Sequence, residues 1–298
     1  MADVCAVDLG GTRTRVALVG ESGELVARET FPTPASGESG RAVTDAIEAA
    51  IRRIAGDRPA AIGVSAAGPL DLGAGAIVSP PNMPYGRVDL VGPLEAAFGI
   101  PVLLLNDARA GALGEFVHGA GVGCDHLVYV TISTGIGGGG IAGGRLLVGR
   151  SGNAGEIGHI TVETRHGLVC GCGYPNHWEG YCSGRNLPRF YAVEKRSGDP
   201  AYATAESIFA GARAGEPGAY RFLDAVAVLN GRALSTLMVA YEPERIVLDG
   251  AVVQSQADLV VGPAVRRMER YLPLPVVAVS PLGGDAPLLG AAVAARRR

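Results

Sequence analysis

An α/β protein of two lobes is what the sequence predicts, on three observations. The first hundred residues read as an antiparallel strand meander, an amphipathic helix and brief buried strands. A second set of strands opens near residue 126 and gives way to helical patterns. A strand ending in Asp or Thr with glycines directly after it recurs at residues 8–11, 131–138 and 248–250, so each lobe is expected to turn a glycine segment toward a common cleft.

Residues 4–7, 15–19 and 25–31 form the meander, with Gly20-Glu21-Ser22-Gly23 as a hairpin turn. Between Glu38 and Ala55 the apolar residues Val43, Ile47, Ala50, Ile51 and Ile54 fall at helical spacing. Residues 61–65 and 101–105 are short apolar runs bounded by Gly, Pro and Asn, the pattern of buried parallel strands joined by helices. The second lobe starts with strands at 126–133 and 145–148, and helices fill residues 203–240. A strand at 245–248, a helix at 259–272, a strand at 276–280 and a glycine-led helix from Gly283 complete it. No repeat of solenoid length is present.

A chain of 298 residues can bury a core without covalent staples. Its net charge of −3 supplies no basic field for nucleic acid or an anionic membrane. No uninterrupted apolar run approaches the roughly 18 residues of a bilayer span, and the start lacks a secretory leader, so a cytoplasmic location is expected. Five cysteines are an odd number, and Cys170, Cys172 and Cys182 crowd together, which in a reducing compartment suggests metal rather than disulfides. The 45 glycines are about twice the average share and concentrate where the chemistry is sought.

Asp8-Leu9-Gly10-Gly11-Thr12 lies between the first two strands. A turn without side chains exposes consecutive N–H groups to phosphate oxygens, Thr12 adds a hydroxyl, and Asp8 is placed to hold a hydrated Mg²⁺. Taken alone, it reads rather as an ordinary Gly-Gly hairpin. The segment Ser133-Thr134-Gly135-Ile136-Gly137-Gly138-Gly139 formally matches G-x-G-x-x-G, but residues 141–148 read as strand, turn, strand instead of the helix a dinucleotide fold requires. A second phosphate-binding hairpin fits better, and no G-x-x-x-x-G-K-[ST] occurs. Asn106-Asp107-Ala108 runs from an apolar strand end into a helix of small residues. Asp107 there either caps the helix or accepts a proton from a substrate hydroxyl.

Ten residues separate His159 from Cys170, one separates Cys170 from Cys172, and four separate Cys172 from His177. Two thiolates and two imidazoles can close a tetrahedral structural Zn²⁺ site, the alternative being free buried cysteines. Cys182 or His166 could replace His177 as the fourth ligand.

In kind, order and spacing these segments resemble the actin-like ATPase and sugar kinase superfamily, and within it the ROK family (repressor, open reading frame, kinase), over nearly the whole chain. The family's D-x-G-G-T is matched at residues 8–12 and its N-D-A at 106–108. Its G-T-G-x-G-G-G is matched at 133–139 with Ser133 in place of the first Gly. Its G-H and C-x-C-G-x-x-G-C-x-E, which place one His and three Cys on zinc, are met with Asn176 at a Gly position and His177 at the third Cys.

The resemblance implies the two-lobed actin-like ATPase, or ribonuclease H-like, fold of the sugar kinases with a central cleft. Residues 1–105 with 284–298 would form the first lobe, and 106–283 the second, carrying the zinc loop. It implies ATP-dependent phosphorylation of a hexose, first of all glucose to glucose 6-phosphate, with Mg²⁺ and structural Zn²⁺. Asp107 would be the general base. Asn82, Asn106, Glu156, His159 and Glu179 would hold the sugar. Asp8, Gly10, Gly11, Thr12, Thr134, Gly135, Gly137, Gly138 and Gly250 would serve the nucleotide, although Asp249 stands where the family's closing turn carries Gly. His159, Cys170, Cys172 and His177 would bind zinc.

Kinases for N-acetylmannosamine, N-acetylglucosamine or fructose, and non-catalytic sugar sensors, are the alternatives within the family. The sugar-responsive repressors of the family need a DNA-reading helix-turn-helix, which is not expected here with the phosphate turn beginning at Asp8. A homodimer or higher homo-oligomer is expected from the resemblance.

Overall fold

The computed structural model describes residues 3–36, 39–57, 59–80, 83–195 and 199–297. The chain divides into two compact units, Met1–Gly123 with Val148–Gly152 and Asp285–Arg298, and Cys124–Leu147 with Asn153–Gly284.

The first unit begins with β1 (Val4–Leu9), β2 (Arg13–Val19), β3 (Leu25–Pro32) and α1 (Arg41–Ala55). Next come β4 (Ile62–Ala66), β5 (Leu70–Asp71), β6 (Ala76–Val78), β7 (Arg87–Asp89), α2 (Val91–Phe98), β8 (Val102–Asn106) and α3 (Asp107–His118). Its main sheet runs β3-β2-β1-β4-β8, antiparallel through the meander and parallel from β1 to β4 and β8. β4 is buried along its whole length, whereas β3 alternates as an edge strand does. α1 lays Val43, Ile47, Ala50 and Ile51 on this sheet, the stripe its spacing predicts.

The second unit contains β9 (Leu127–Ile132), β10 (Ile136–Ala142), β11 (Arg145–Leu146), α4 (Glu179–Cys182), α5 (Leu187–Lys195) and α6 (Ala205–Arg213). It continues through α7 (Pro217–Tyr241), β12 (Arg245–Asp249), α8 (Ala251–Arg266) and β13 (Val276–Val279). Its sheet order, β11-β10-β9-β12-β13, again joins a hairpin to parallel strands. The core is aromatic: Tyr181, Phe190, Tyr191 and Phe222 meet edge to face, and the buried Trp178 donates to Asn230 of α7 at 2.8 Å. Over 18 residues α7 reaches a mean hydropathy of 1.4, long and apolar enough to cross a bilayer by length and composition. A search for uninterrupted apolar runs misses it. Two-thirds of that window is buried inside the protein, which makes α7 a core helix.

The last helix, α9 (Ala286–Arg296), returns to the first unit. It lies so close to α3 and β4 that only glycine fits at three crossings. A Cβ on Gly290 would stand 1.7 Å from the Ala110 carbonyl oxygen, one on Gly114 2.1 Å from that of Ala286, and one on Gly63 2.1 Å from that of Ala291. This packing carries the first unit past residue 105, where the sequence pattern divides the chain.

Other elements differ from expectation for local reasons. The helix expected at 259–272 starts at Ala251, directly after β12. Gly250, at φ 94°, makes the sharp turn, and the non-helical Gln256 interrupts the periodic pattern from which a helix is read. The region 203–240 is two helices, separated by Gly215 at φ 79° and by Pro217 in the first turn of α7. The strand expected at 145–148 is only Arg145–Leu146. The small β5-β6-β7 sheet has no counterpart in the expected elements, because strands of two or three residues are too short to show alternation.

Gly290→Ala is expected to cost about 2 kcal/mol or more by forcing α3 and α9 apart, seen as a fall in Tm of several degrees. Gly92→Ala, in α2 with open space around it, is the control and should leave Tm unchanged or raise it.

Candidate functional site

In the first unit β1, β4 and β8 run parallel and end level, with Leu9 beside Ala66 and Ala66 beside Asn106. Carboxyl ends of adjacent parallel strands are where open α/β sheets bind ligands. The Gly10–Gly11 turn leaves β1 there, and α3 leaves β8 there. The turn is fixed by Gly10 N donating to Arg13 O at 3.0 Å, and by the Thr33 hydroxyl donating to Gly10 O at 2.7 Å. Thr12 stands exposed at its tip.

Asp8 does not stand alone. Its Oδ2 accepts from Arg15 Nε and Nη2 at 3.0 and 2.6 Å, and its Oδ1 accepts from Ser65 Oγ at 3.1 Å. Arg15 reaches Asp285 with Nη1 at 2.7 Å, and Arg28 meets the other oxygen of Asp285 at 3.1 Å. Sequence reading missed Arg15 and Ser65. The signal was present in pairing order, since both sit directly beside Asp8, on β2 and β4 respectively. Oδ1 still has capacity for one more donor, which suits a water of a hydrated Mg²⁺.

Backbone geometry shows which residue caps α3. Asn106, with extended backbone, caps α3: its Oδ1 accepts from Ala108 N at 3.1 Å and Arg109 N at 3.3 Å. Asp107 is therefore the first helical residue, half-buried, with Oδ1 also accepting from Ala108 N at 2.8 Å.

In the second unit β9 and β12 are parallel with Thr131 beside Asp249, so the 133–135 turn and Gly250 leave the sheet side by side. A Cβ on Gly250 would lie 2.5 Å from Ile132 O. Asp249 points inward, fully buried, and accepts from Tyr129 OH and Gln254 Nε2, each at 2.9 Å. Its carboxylate thus serves the interior. Thr134 is exposed at the turn and Gly135 is next to it, whereas Gly137 and Gly138 sit within β10 opposite Thr131 and Val130. Gly138 makes room for Ile157, whose Cδ1 would be 2.3 Å from a Cβ there.

The cysteine segment is a tight loop on the same unit. His159, Cys170, Cys172 and His177 bring one ligand atom each to within 4.8 Å of one another. His159 Nδ1 is 3.7 Å from Cys170 Sγ, and His177 Nδ1 is 3.2 Å from Cys172 Sγ. Tetrahedral zinc with two N and two S ligands needs separations of roughly 3.3–3.8 Å, so a modest contraction would complete the site. Burial pushes the Cys170 thiol up to about 12, and burial with the neighbouring His159 lowers His177. The two alternative ligands lie elsewhere: His166 pairs with Glu194 at 2.8 Å, and Cys182 is buried in the core. Asn176 adopts φ 71°, the left-handed conformation a Gly takes freely and Asn tolerates.

His159 turns its other nitrogen, Nε2, to Glu156 Oε2 at 3.7 Å. Glu179 adjoins Cys170 Sγ through Oε1 at 3.3 Å. Glu156, His159 and Glu179 are thereby gathered around the cluster. Asn82 lies outside the described residues.

The ROK family model matches residues 4–298. The chain belongs to the ROK family. A glucokinase of Pyrobaculum calidifontis is 35% identical over 297 residues, covering 99% of this chain and 95% of that protein. Among solved structures, a ROK hexokinase from Thermus thermophilus superposes with a TM-score of 0.84 at 34% identity, covering 99% of this chain and 98% of that one. A ROK family glucokinase from Streptomyces griseus, in complex with glucose and AMPPNP, gives 0.81 at 32% identity, covering 99% and 100%. The fold is that of the actin-like ROK sugar kinases.

The loop between His159 and Cys170 is braced by Glu163, whose buried carboxylate accepts from Arg165 at 2.6 Å and from the amides of Thr164 and Arg165. The Arg165 guanidinium, then those amides, hold it down at about 2 against the opposing effect of burial. A depressed carboxylate stabilises the fold in full above its unfolded value near 4.5, and that contribution is lost as the pH falls toward 2. Glu163→Gln is expected to lower stability by about 1–2 kcal/mol at pH 7, the exposed Arg165 screening part of the pair. The Tm difference from wild type should shrink steadily below pH 4.5; a difference independent of pH would refute the ionic origin.

Proposed function

We propose that the protein is an ATP-dependent glucokinase, moving the γ-phosphoryl group of ATP to the 6-hydroxyl of glucose. The observation that carries this reading is the division of roles at the start of α3. Asn106 is the capping residue, and Asp107, the first helical residue, sits at the strand-end level from which the Gly10–Gly11 turn departs. Family membership and full-length likeness to glucokinases support the same conclusion.

Asp107 would take the proton of the sugar hydroxyl as its oxygen attacks phosphorus, positioned by a rigid helix rather than a loop. With Oδ1 committed to the cap, Asn106 keeps its amide N–H groups for a sugar hydroxyl. Glu156, His159 and Glu179 can each exchange hydrogen bonds with neighbouring hydroxyls of a polyol. The candidate nucleotide contacts are the Gly10–Gly11 turn with Thr12 in the first unit and the Thr134–Gly135 turn with Gly250 in the second, turns whose amides suit phosphoryl oxygens. Mg²⁺ would neutralise β- and γ-phosphate charge, and Asp8 is the residue to hold its water. Zn²⁺ at His159, Cys170, Cys172 and His177 would cross-link the loop and fix the His159 ring with Nε2 toward Glu156.

A coupled phosphorylation assay across glucose, fructose, N-acetylglucosamine and N-acetylmannosamine should give the highest kcat/KM with ATP and glucose; preference for another sugar would reassign the substrate. Asp107→Asn should retain glucose affinity while turnover drops about 100-fold or more. Near-normal turnover would remove Asp107 as the base. Elemental analysis should find one zinc per chain, with the content reduced in His177→Ala.

A further inference from the structure

The turn between β9 and β10 is held from one side by the segment beyond the cysteine loop. Gly184 N donates to Ser133 O at 2.8 Å, and Arg185 N donates to Thr134 O at 3.4 Å. Ile136 N, immediately after the turn, donates to Glu179 Oε2 at 2.9 Å. The same carboxylate accepts from Cys170 Sγ through Oε1 at 3.3 Å. It lies so close over the turn that a Cβ on Gly135 would stand 2.5 Å from Oε2. One half-buried side chain thus lies beside the cysteine and histidine cluster and holds the turn after β9 by a backbone amide.

We infer that Glu179 is a positioning residue for the nucleotide turn, beyond its sugar-facing role. The inference rests on the kinase reading. A glycine in a short turn leaves the adjoining amides free to reorient, and each conformation lost on binding detracts from affinity. An acceptor fixed on Ile136 N–H sets the plane of the Gly135–Ile136 peptide, and with it the direction in which the turn presents its amides. What this task requires is an acceptor oxygen, which an amide also provides.

The test is equilibrium binding of AMPPNP to the sugar-free protein, by calorimetry, alongside glucose binding and a thermal melt. Glu179→Ala should weaken AMPPNP binding about tenfold, the scale of one charge-assisted hydrogen bond. Glu179→Gln should restore AMPPNP affinity while glucose binding remains impaired. Gly135→Ala should weaken AMPPNP binding by displacing the carboxylate, and should add little in the Glu179→Ala background. Unchanged AMPPNP affinity in a folded Glu179→Ala that has lost glucose affinity would overturn the inference and leave the kinase reading intact. Failure of the wild-type protein to bind AMPPNP would overturn both.

Discussion

Two helix backbones touch where Gly114 faces Ala286 and Gly290 faces Ala110, with no side chain to hold them apart. Contact at this range fixes the axis of α3 against α9, and Gly63 lets α9 rest on the sheet in the same way. Asp107 inherits its position from that packing, since it is the first residue of α3. The electrostatics extend the constraint. Asp285, at the start of α9, holds Arg15 and Arg28, and Arg15 holds Asp8. Such half-buried pairs contribute modestly to stability, but the planar fork of Arg15 gives them direction. The start of the last helix and the end of the first strand are thereby set by one guanidinium.

The second unit reaches comparable rigidity by other means. Its cysteine loop has little regular structure and is anchored at the far end by Trp178, whose indole N–H reaches Asn230 within the aromatic core. Side chains on such a loop keep their places because the neighbouring chain is packed. Gly158 shows the tolerance: a Cβ there would come 2.1 Å from Ile136 O. The glycines near this site therefore answer to two demands, a tight turn at 133–135 and close packing at Gly138 and Gly158.

This double demand marks the limit of what was legible in the sequence. Strand ends followed by glycine, the α1 stripe and the spacing of His159, Cys170, Cys172 and His177 all carry local signals, and the structure brings these four candidate ligands together. The role of Asn106 was hidden, because Asn and Asp are both good caps and only backbone geometry shows which one is used. Asp249 looked like a departure at the nucleotide site, whereas its side chain is satisfied inside by Tyr129 and Gln254. Partners such as Arg15 and Ser65 come from strand neighbours, and pairing order is a tertiary property that composition and periodicity do not encode.

The return of α9 bears on how the molecule is made. Synthesis runs from the amino end, so the sheet of the first unit emerges from the ribosome long before the helix that covers it. Until then Gly63 and the buried face of α3 have no cover, while the whole of the second unit is produced in between. The unit begun first is the one finished last, and its nascent form exposes apolar surface of the kind chaperones engage. A translational stop or proteolytic cut shortly before residue 286 would leave the second unit nearly whole and the first unable to close.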